Sequence, residues 1–440
     1  MANSKKSNID HAVQQHYQNY PYPLRDPDQE KSRLFVLAGS SLSELNHWLF
    51  RGEENFNHSF RVLIAGGGTG DATTFLALQL LGKQAEVVYL DFSSASLEIA
   101  KQRAESRGLK NIRWVVGDLL QLPHLNLGKF DYIDCSGVLH HLASPLAGLK
   151  ILKDSLTDKG GMGLMVYAKY GRTGVYVMQE LLRRINEGVV DCSEELVNGR
   201  KVLESLPKNH WFLRSPEPLL ADLDSEAGFY DLCLHKRDRA YSIPEMYQLV
   251  KDAGLHFVSF QDPLDRILLQ PERYIQDEGL LGQLKRLNEP KRQAIAEILS
   301  GNFFKHSFYV SKKKTSAATL DQLYNVPYFY AQPEFLIRIQ EAIYQTVPGE
   351  NSCIYVVIGN DSIKDYKIKI PVSIYTKYIF KYMDENHSLQ EMFEEIRKEL
   401  QSPVSYDVLQ EEVKKVLEPF VAPGILLLRS KSVEPFKKWM

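Results

Sequence analysis

The sequence contains few cysteines, and none of them are closely spaced. The four cysteines form no C-x-x-C pair, which disfavours both a disulfide framework and a structural zinc site and suits a reducing compartment. We therefore expect four free thiols, at Cys135, Cys192, Cys233 and Cys353, and no bound metal.

Long hydrophobic runs are also lacking. Every apolar stretch is interrupted by charge before it reaches the length that spans a bilayer, and the first eight residues contain no apolar core of a secretion signal. The sequence thus predicts a cytoplasmic protein without a membrane anchor.

Charge of one sign is not in excess, because 53 Lys and Arg residues stand against 55 Asp and Glu residues. This balance provides no long-range field that would attract nucleic acid or anionic lipid. The apolar content of 44% and the charged content of 25% are ordinary for a globular protein. At 440 residues the chain is long enough for two or three domains.

The hydrophobic pattern divides the chain into an arm, two domains and a linker. Residues 1–35 are predicted to form an N-terminal arm that is extended rather than helical, because Pro21, Pro23 and Pro27 have fixed φ angles. Residues 36–311 alternate strands with helices, which predicts an α/β domain with a parallel sheet and helical insertions at about 171–240 and 264–300. Residues 312–319 form a lysine-rich linker, and residues 320–440 are predicted to form a small α+β domain similar to a winged helix.

A glycine-rich turn follows the first predicted strand. Gly66, Gly68 and Gly70 lie where this strand meets a helix, so a ligand can approach bare backbone and the amides of a helix N-terminus. The turn is compatible with a simple connector or with a dinucleotide site, which would normally read G-x-G-x-x-G. The G-x-G-x-G spacing is tighter and fits a ligand without a pyrophosphate.

Polar residues follow the next three strands at the same edge of the predicted sheet. Asp91 ends the second strand, where a carboxylate can accept two ribose hydroxyls or can simply begin the next helix. Asp118 follows the third strand, where it can accept a hydrogen bond from the exocyclic amine of adenine while Leu119 covers the adenine ring. Residues 136–142 follow the fourth strand. Ligands bind at the carboxyl ends of strands in open α/β sheets, so these segments predict one binding site.

In this order and spacing, the segments resemble the class I methyltransferases, over about residues 60–170 and more weakly over 240–311. The resemblance implies a Rossmann-like domain, methyl transfer (EC 2.1.1) and S-adenosylmethionine as the cofactor. The cofactor-binding residues that it implies are Ala65, Gly66, Gly68, Thr69, Gly70, Asp91, Phe92, Asp118, Leu119, Ser136, Gly137 and Val138.

One position departs from this family. An acidic residue usually lies two positions before the first motif glycine and approaches the methionine ammonium, but this chain has Ile64 there. Another group must then bind the ammonium, and backbone carbonyls near Gly66 and Ser136 are candidates.

Three segments resemble a narrower bacterial group: residues 20–23, 63–70 and 137–141. This group includes protein-lysine methyltransferases that modify rickettsial outer-membrane proteins, although Gly67 replaces a common cysteine. The resemblance implies a protein or peptide substrate with a lysine amine as the methyl acceptor.

Several tyrosines and histidines are candidates for the chemistry. Tyrosines of the arm can fold over the cofactor and orient the acceptor, or can simply dock the arm on the core. The histidines after the fourth strand can take a proton near neutral pH, or can order their loop. The candidate catalytic residues are Tyr22, His140, His141 and Tyr167, and the candidate substrate-binding residues are Tyr17, Tyr20 and His235.

The sequence is also compatible with other functions. A small-molecule or RNA methyltransferase is the alternative within the enzyme class, and a non-catalytic S-adenosylmethionine-binding regulator or scaffold is the alternative outside it. Basic and acidic residues nearly balance in the C-terminal domain, which makes a protein or peptide partner a better match than nucleic acid. An exposed strand edge there can accept an extended peptide, and the helical insertions offer surface for a homodimer.

Overall fold

The computed structural model describes residues 2–314, 316–330, 333–358, 366–401 and 403–439. The chain divides into two compact units. The first comprises residues 1–40, 56–257 and 268–314, and the second comprises residues 41–55, 258–267 and 315–440. The main boundary lies within the predicted linker at 312–319, of which Thr315 is outside the described residues. Two segments of the predicted 36–311 domain belong to the second unit instead.

An eight-stranded sheet organises the first unit. Its strands are β1 (Phe60–Ala65), β2 (Ala85–Asp91), β3 (Ile112–Val116), β4 (Phe130–Ser136), β5 (Leu156–Ala168), β6 (Ala240–Tyr241), β7 (His256–Phe260) and β8 (Lys305–Ser311). The order is β3-β2-β1-β4-β5-β8-β7, and β6 pairs with β5. Neighbours among β1 to β5 are parallel, which confirms the predicted α/β class, whereas β8 runs antiparallel to β5.

Helices surround the strands. In chain order they are α1 (Ala2–Asn19), α2 (Leu42–Leu49), α3 (Asp71–Gln79), α4 (Ser94–Ser106), α5 (Pro145–Ser155), α6 (Thr173–Ile185), α7 (Cys192–Ser205), α8 (Glu217–Leu220), α9 (Glu226–Phe229), α10 (Ile243–Asp252), α11 (Pro263–Leu268), α12 (Glu278–Leu284), α13 (Glu289–Ser300), α14 (Pro333–Gln345), α15 (Thr376–Lys381), α16 (Leu389–Leu400) and α17 (Tyr406–Val421). Among the helices of the described residues, none is both long enough and apolar enough to traverse a bilayer.

The central strand β1 is buried along almost its whole length. Phe60, Val62 and Leu63 are fully buried, and β2 and β4 lie on either side of β1. A continuous apolar run is typical of a parallel strand that helices cover on both faces. This burial holds the glycine turn that follows β1 in a fixed position.

The N-terminal arm begins as a helix, so the predicted extended conformation is wrong for residues 2–19. The prolines begin only at Pro21, and they therefore follow the helix instead of preventing it. Val13 and His16 of α1 are buried in the first unit, which provides tertiary contacts that the local sequence pattern does not show.

Buried ion pairs fasten the proline-rich part of the arm, residues 20–35, to the sheet domain. The Glu30 carboxylate accepts hydrogen bonds at 2.6 Å from both Arg103 and Arg107 of the region around α4, and the Glu30 and Arg103 side chains are only 1% exposed. Arg25 pairs with Asp71 at 2.6 Å. These contacts hold the arm beside the N-terminus of α3.

The predicted insertion at 171–240 is helical and carries its own small core. Buried side chains of α6, α7 and α9 pack together there, including Met178, Leu196 and Phe229. The ring of Tyr20 from the arm stacks on Tyr230 of this core at 5.0 Å between ring centroids. The arm and the insertion are therefore in direct contact.

The second unit contains two antiparallel strand pairs and several helices. Strand β9 (Asn325–Phe329) pairs with β12 (Leu426–Ser430), and β10 (Cys353–Ile358) pairs with β11 (Tyr366–Pro371). Helices α14 to α17 contribute to a core that includes Phe393, Leu417 and Phe420. Strands and helices thus both occur in this unit, as the predicted α+β character of residues 320–440 requires. Its likeness to a winged helix stays a prediction.

Candidate active site

A cavity of about 500 Å³ lies within the first unit. It is lined by the glycine turn, by residues at the carboxyl ends of β1, β2 and β4, by the arm, by α8 and by residues near α6 and α9. Ligand sites in open α/β sheets lie at this edge, so the cavity is the candidate active site.

The glycine turn has no room for side chains. Gly66 has a φ of +82°, and a Cβ atom built there would lie 2.2 Å from Cγ2 of Val138. A Cβ at Gly68, where φ is +49°, would lie 2.9 Å from the backbone oxygen of Tyr22. Only glycine fits these positions without displacing its neighbours, so bare backbone faces the cavity.

The turn contributes shape more than hydrogen-bond donors. The amides of Gly66 and Gly67 both donate to the carbonyl oxygen of Leu90, and the amide of Gly70 donates to Gly67. The amide of Gly68 donates to Asp91 at 2.8 Å. These four amides are thus already bonded within the protein.

Asp91 lies at the end of β2 and lines the cavity. Its Oδ2 accepts the amide of Gly68 and its Oδ1 accepts the amide of Ser93, each at 2.8 Å. Burial raises the pKa of this carboxyl, and the two backbone hydrogen bonds oppose that shift. These two hydrogen bonds hold the carboxylate in place beside the cavity.

Most of the predicted cofactor-binding residues lie together. Ala65 and Thr69 are buried and do not line the cavity, and the Thr69 hydroxyl instead donates to the carbonyl of Pro23 at 2.7 Å. The predicted residues that do line the cavity are Gly66, Gly68, Gly70, Asp91, Phe92, Asp118, Leu119, Ser136, Gly137 and Val138.

Two carboxylates and three tyrosines that line the cavity form what we call the acidic chamber: Tyr17, Tyr22, Tyr167, Asp222 and Asp231. The hydroxyls of Tyr17 and Tyr167 donate to Asp231 at 2.8 and 3.0 Å. The hydroxyl of Tyr22 donates to Asp222 at 3.2 Å. Burial raises the pKa of Asp231, and burial together with the nearby Asp231 raises the pKa of Asp222 to about 6.

The positive charge beside this chamber is compensated. The guanidinium of Arg172 lies 3.5 Å from the centre of the Tyr167 ring and pairs with Asp238 at 3.3 Å. Both partners of this ion pair are 1% exposed. Arg172 also acts on Asp222 and Asp231, so these carboxylates and Asp238 together carry more negative charge than Arg172 balances.

The two histidines after β4 occupy different environments. His141 lines the cavity, and its Nδ1 lies 2.8 Å from the carbonyl oxygen of Arg237. A carbonyl only accepts, so Nδ1 carries the proton and the lone pair is on Nε2. His140 is fully buried outside the cavity lining, and burial lowers its pKa well below the usual value. The predicted catalytic role therefore fits His141 and not His140.

A third histidine lies behind His141. The His235 ring stacks on His141 at 3.8 Å between centroids and does not line the cavity. Ligand-type atoms of His16, Asp231 and His235 lie within 4.8 Å of one another. However, Nδ1 of His235 accepts the amide of Arg237 at 3.0 Å, so its Nε2 carries a proton and has no lone pair for a metal.

Of the three predicted substrate residues, only Tyr17 reaches the cavity, because Tyr20 stacks on the insertion and His235 lies behind His141. Sequence reasoning misses Asp134 and Asp222. Residues of the acidic chamber come from segments far apart, and Tyr17 and Asp231 are 214 residues apart. No local motif signals such a contact.

Residues 63–162 match a family model described as a methyltransferase domain. These residues form a methyltransferase domain. The match begins in β1 and ends in β5, so it contains the glycine turn, Asp91, Asp118 and Ser136. The resemblance that the sequence motifs indicate is thereby confirmed.

Similarity to individual proteins covers more of the chain than the family model does. An uncharacterized protein of Synechococcus sp. is 30% identical over 259 residues, which is 57% of this chain, and the chain spans 60% of that relative's length. A demethylmenaquinone methyltransferase of Geobacillus kaustophilus is 26% identical over 183 residues, covering 40% of this chain and 74% of the relative.

A solved structure shares the fold over most of the chain. PKMT2 from Rickettsia typhi, in complex with AdoHcy, has a TM-score of 0.57 and covers 90% of this chain and 77% of its own. Its sequence identity is 14%, so the likeness is one of fold.

S-adenosylmethionine is the cofactor of the methyltransferase domain, and the residues present fit it. The glycine turn has no side chains where the cofactor's body must lie, Asp91 can accept its ribose hydroxyls, and Asp118 can accept its adenine amine. The predicted cofactor is confirmed.

Proposed function

We propose that this protein transfers a methyl group from S-adenosylmethionine to a lysine amine of a protein substrate. The observation that carries the proposal is one cavity that contains both the cofactor-binding strand ends and the acidic chamber. The methyl donor and a cationic side chain would thus meet in a single enclosed space.

A lysine side chain suits the chamber electrostatically. Asp231 is buried and Asp222 is partly buried, and withdrawing a carboxylate from water is costly unless a positive group pairs with it. A lysine ammonium supplies that charge and three hydrogen-bond donors. Its aliphatic stem can lie against apolar residues that line the same cavity, including Val13, Leu37 and Leu219.

The chain must also convert the ammonium into a nucleophile. When bound, the cofactor would supply a methyl group on a sulfonium: the amine lone pair forms a C–N bond to the methyl carbon in line as the C–S bond breaks, and the sulfur leaves as a neutral thioether. In our proposal the ammonium binds Asp222 and Asp231, and one of its protons passes to Nε2 of His141, which leaves the lone pair on the amine nitrogen. The hydroxyls of Tyr17 and Tyr22 orient the amine.

A quinone acceptor is the second candidate, because the Geobacillus kaustophilus relative is a demethylmenaquinone methyltransferase. The apolar residues of the cavity could contact a neutral ring. A neutral ring, however, would add no positive charge to the carboxylates of Asp222 and Asp231. The charge of the chamber therefore favours an amine.

The charge of the acceptor can be tested with two small probes in the presence of saturating S-adenosylhomocysteine. Nα-acetyl-lysine methylamide carries the ammonium, and its norleucine analogue has the same stem without it. Ligand-observed NMR should show at least about tenfold tighter binding of the lysine compound at pH 7.5, since hydrogen bonds to charged groups contribute roughly 1.5–3 kcal/mol. Equal binding of the two probes would contradict a lysine acceptor.

The same preference should depend on pH through Asp222. Burial raises the pKa of this carboxyl to about 6, and the groups that act on it are Asp231, Tyr22, Arg172 and Arg25. Below that pH Asp222 is protonated and attracts a cation less, so the lysine preference should fall as the pH drops from 7.5 to 5.

Replacing Asp222 with asparagine isolates its contribution to the pH dependence of lysine binding. Asp222→Asn should lose the pH dependence, while the matched control Asp224→Asn, two residues away and outside the cavity lining, should keep the wild-type profile. An unchanged profile in Asp222→Asn would show that another group governs acceptor binding.

A further inference from the structure

Asp134 lies at the end of β4 and lines the cavity, although its side chain is only 4% exposed. In the sheet it is the register partner of Ile64 on the adjacent parallel strand β1. Paired residues of neighbouring strands project to the same face of a sheet. Asp134 therefore presents its carboxylate beside the position where the sequence lacks the expected acidic residue.

This carboxylate has only neutral partners in the described part of the chain. Its Oδ2 accepts the hydroxyl of Ser40 at 2.9 Å and faces the hydroxyl of Tyr132 at 3.4 Å. Ser136 also bonds to it, and none of the groups that shift its pKa is a cation. Burial raises the pKa of Asp134, and its hydrogen bonds oppose that shift without neutralising the charge. A cationic group of a ligand would supply the missing positive charge.

We propose that Asp134 binds the α-ammonium of S-adenosylmethionine and so replaces the acidic residue that is missing at Ile64. This inference rests on the cofactor assignment but not on the identity of the methyl acceptor. The turn at Gly66 and the segment at Ser136, where the sequence indicated only backbone carbonyls, lie directly after these paired strand positions.

A purely structural role makes a different prediction. If Asp134 served only to fasten Ser40 and Tyr132, its replacement would distort the whole cofactor site. Loss of the carboxylate would then weaken every ligand of the site equally. Ammonium binding instead predicts a loss confined to ligands that carry the amino group.

Isothermal titration calorimetry of the full chain with two ligands distinguishes ammonium binding from a purely structural role of Asp134. S-adenosylhomocysteine carries the amino-acid group, whereas 5′-methylthioadenosine has the adenosine and the sulfur but no amino acid. Asp134→Asn should weaken binding of S-adenosylhomocysteine by about 10- to 100-fold, as expected for the loss of a charged hydrogen bond. Its affinity for 5′-methylthioadenosine should stay within about twofold, which would also show that the variant is folded.

Asp91→Asn is the matched control. Its carboxylate faces the ribose, which both ligands contain, so this variant should weaken both by similar factors. Wild-type affinity of Asp134→Asn for S-adenosylhomocysteine, or an equal loss for both ligands, would overturn the proposal.

A measurement on the unaltered protein covers the case in which Asp134→Asn fails to fold. An analogue of S-adenosylhomocysteine with hydrogen in place of the amino group should bind the wild type at least tenfold more weakly. Equal binding of that analogue would overturn the ammonium site. If the wild type bound none of these adenosyl ligands, the cofactor assignment itself would fail, which is a distinguishable result.

Discussion

Replacing Gly66 with alanine should perturb the glycine turn by a predictable amount. Gly66 and Gly82 both have a φ of +82°, but their surroundings differ. A Cβ at Gly82 would have nothing within 4 Å, whereas a Cβ at Gly66 would lie 2.2 Å from Cγ2 of Val138. Gly82→Ala is therefore a matched control that has the backbone strain without the clash.

The expected magnitudes follow from these two contributions. Alanine in the left-handed region costs roughly 1–2 kcal/mol, which is the whole effect expected for Gly82→Ala. The contact with Val138 adds roughly 1–3 kcal/mol of overpacking in Gly66→Ala. Val138→Ala removes both γ carbons, so the double variant Gly66→Ala/Val138→Ala should be less destabilised than the sum of the two single variants, by about the overpacking energy.

Differential scanning calorimetry can measure these differences. The transition that moves upward with S-adenosylhomocysteine reports the first unit, since a ligand stabilises only the unit that binds it. Each kcal/mol should lower that transition by about 2 °C in a unit of this size. Gly66→Ala should also weaken S-adenosylhomocysteine binding, because the turn must shift to admit the methyl group.

Equal destabilisation by Gly66→Ala and Gly82→Ala would refute this reasoning. So would strict additivity with Val138→Ala, because it would show that the clash does not determine the cost at Gly66.

Three further substitutions test other parts of the site. Asp91→Ala should weaken S-adenosylhomocysteine binding about 100-fold in calorimetry through loss of the ribose hydrogen bonds, and unchanged affinity would remove Asp91 from the site. His141→Asn, whose amide can still donate to the Arg237 carbonyl, should lower kcat about 100-fold, and an unaltered kcat would eliminate His141 as the proton acceptor. Glu30→Gln should destabilise the first unit by about 3 kcal/mol or more, because it breaks a buried ion pair with Arg103. The ligand-sensitive melting transition should therefore move to a lower temperature. If that transition does not move, the ion pair does not fasten the arm.

The sequence signals of the predicted cofactor-binding residues are local. Gly66 and Asp91 are separated by one helix and one strand, and each follows a strand with a clear apolar run. Such strand-end residues are brought together by the sheet itself, so their order along the chain is enough to place them at one edge.

The acidic chamber has no such local signals in the sequence. Helix α1 was missed because the prolines after it dominate the local pattern, while its buried residues, such as Val13, are stabilised by distant parts of the first unit. The contact of Tyr17 with Asp231 joins residues 214 positions apart. Asp134 was missed for a related reason, since its relation to Ile64 appears only in the register of two strands.

Lysine methylation is tested most directly by transfer of a tritiated methyl group from S-adenosylmethionine into a fractionated bacterial extract. The label should appear in the protein fraction and, after acid hydrolysis, should co-elute with methylated lysine. It should disappear when Asp91→Ala replaces the wild type. Label in the organic-extractable or RNA fraction would contradict a lysine acceptor, and no label in any fraction would contradict methyl transfer by this chain.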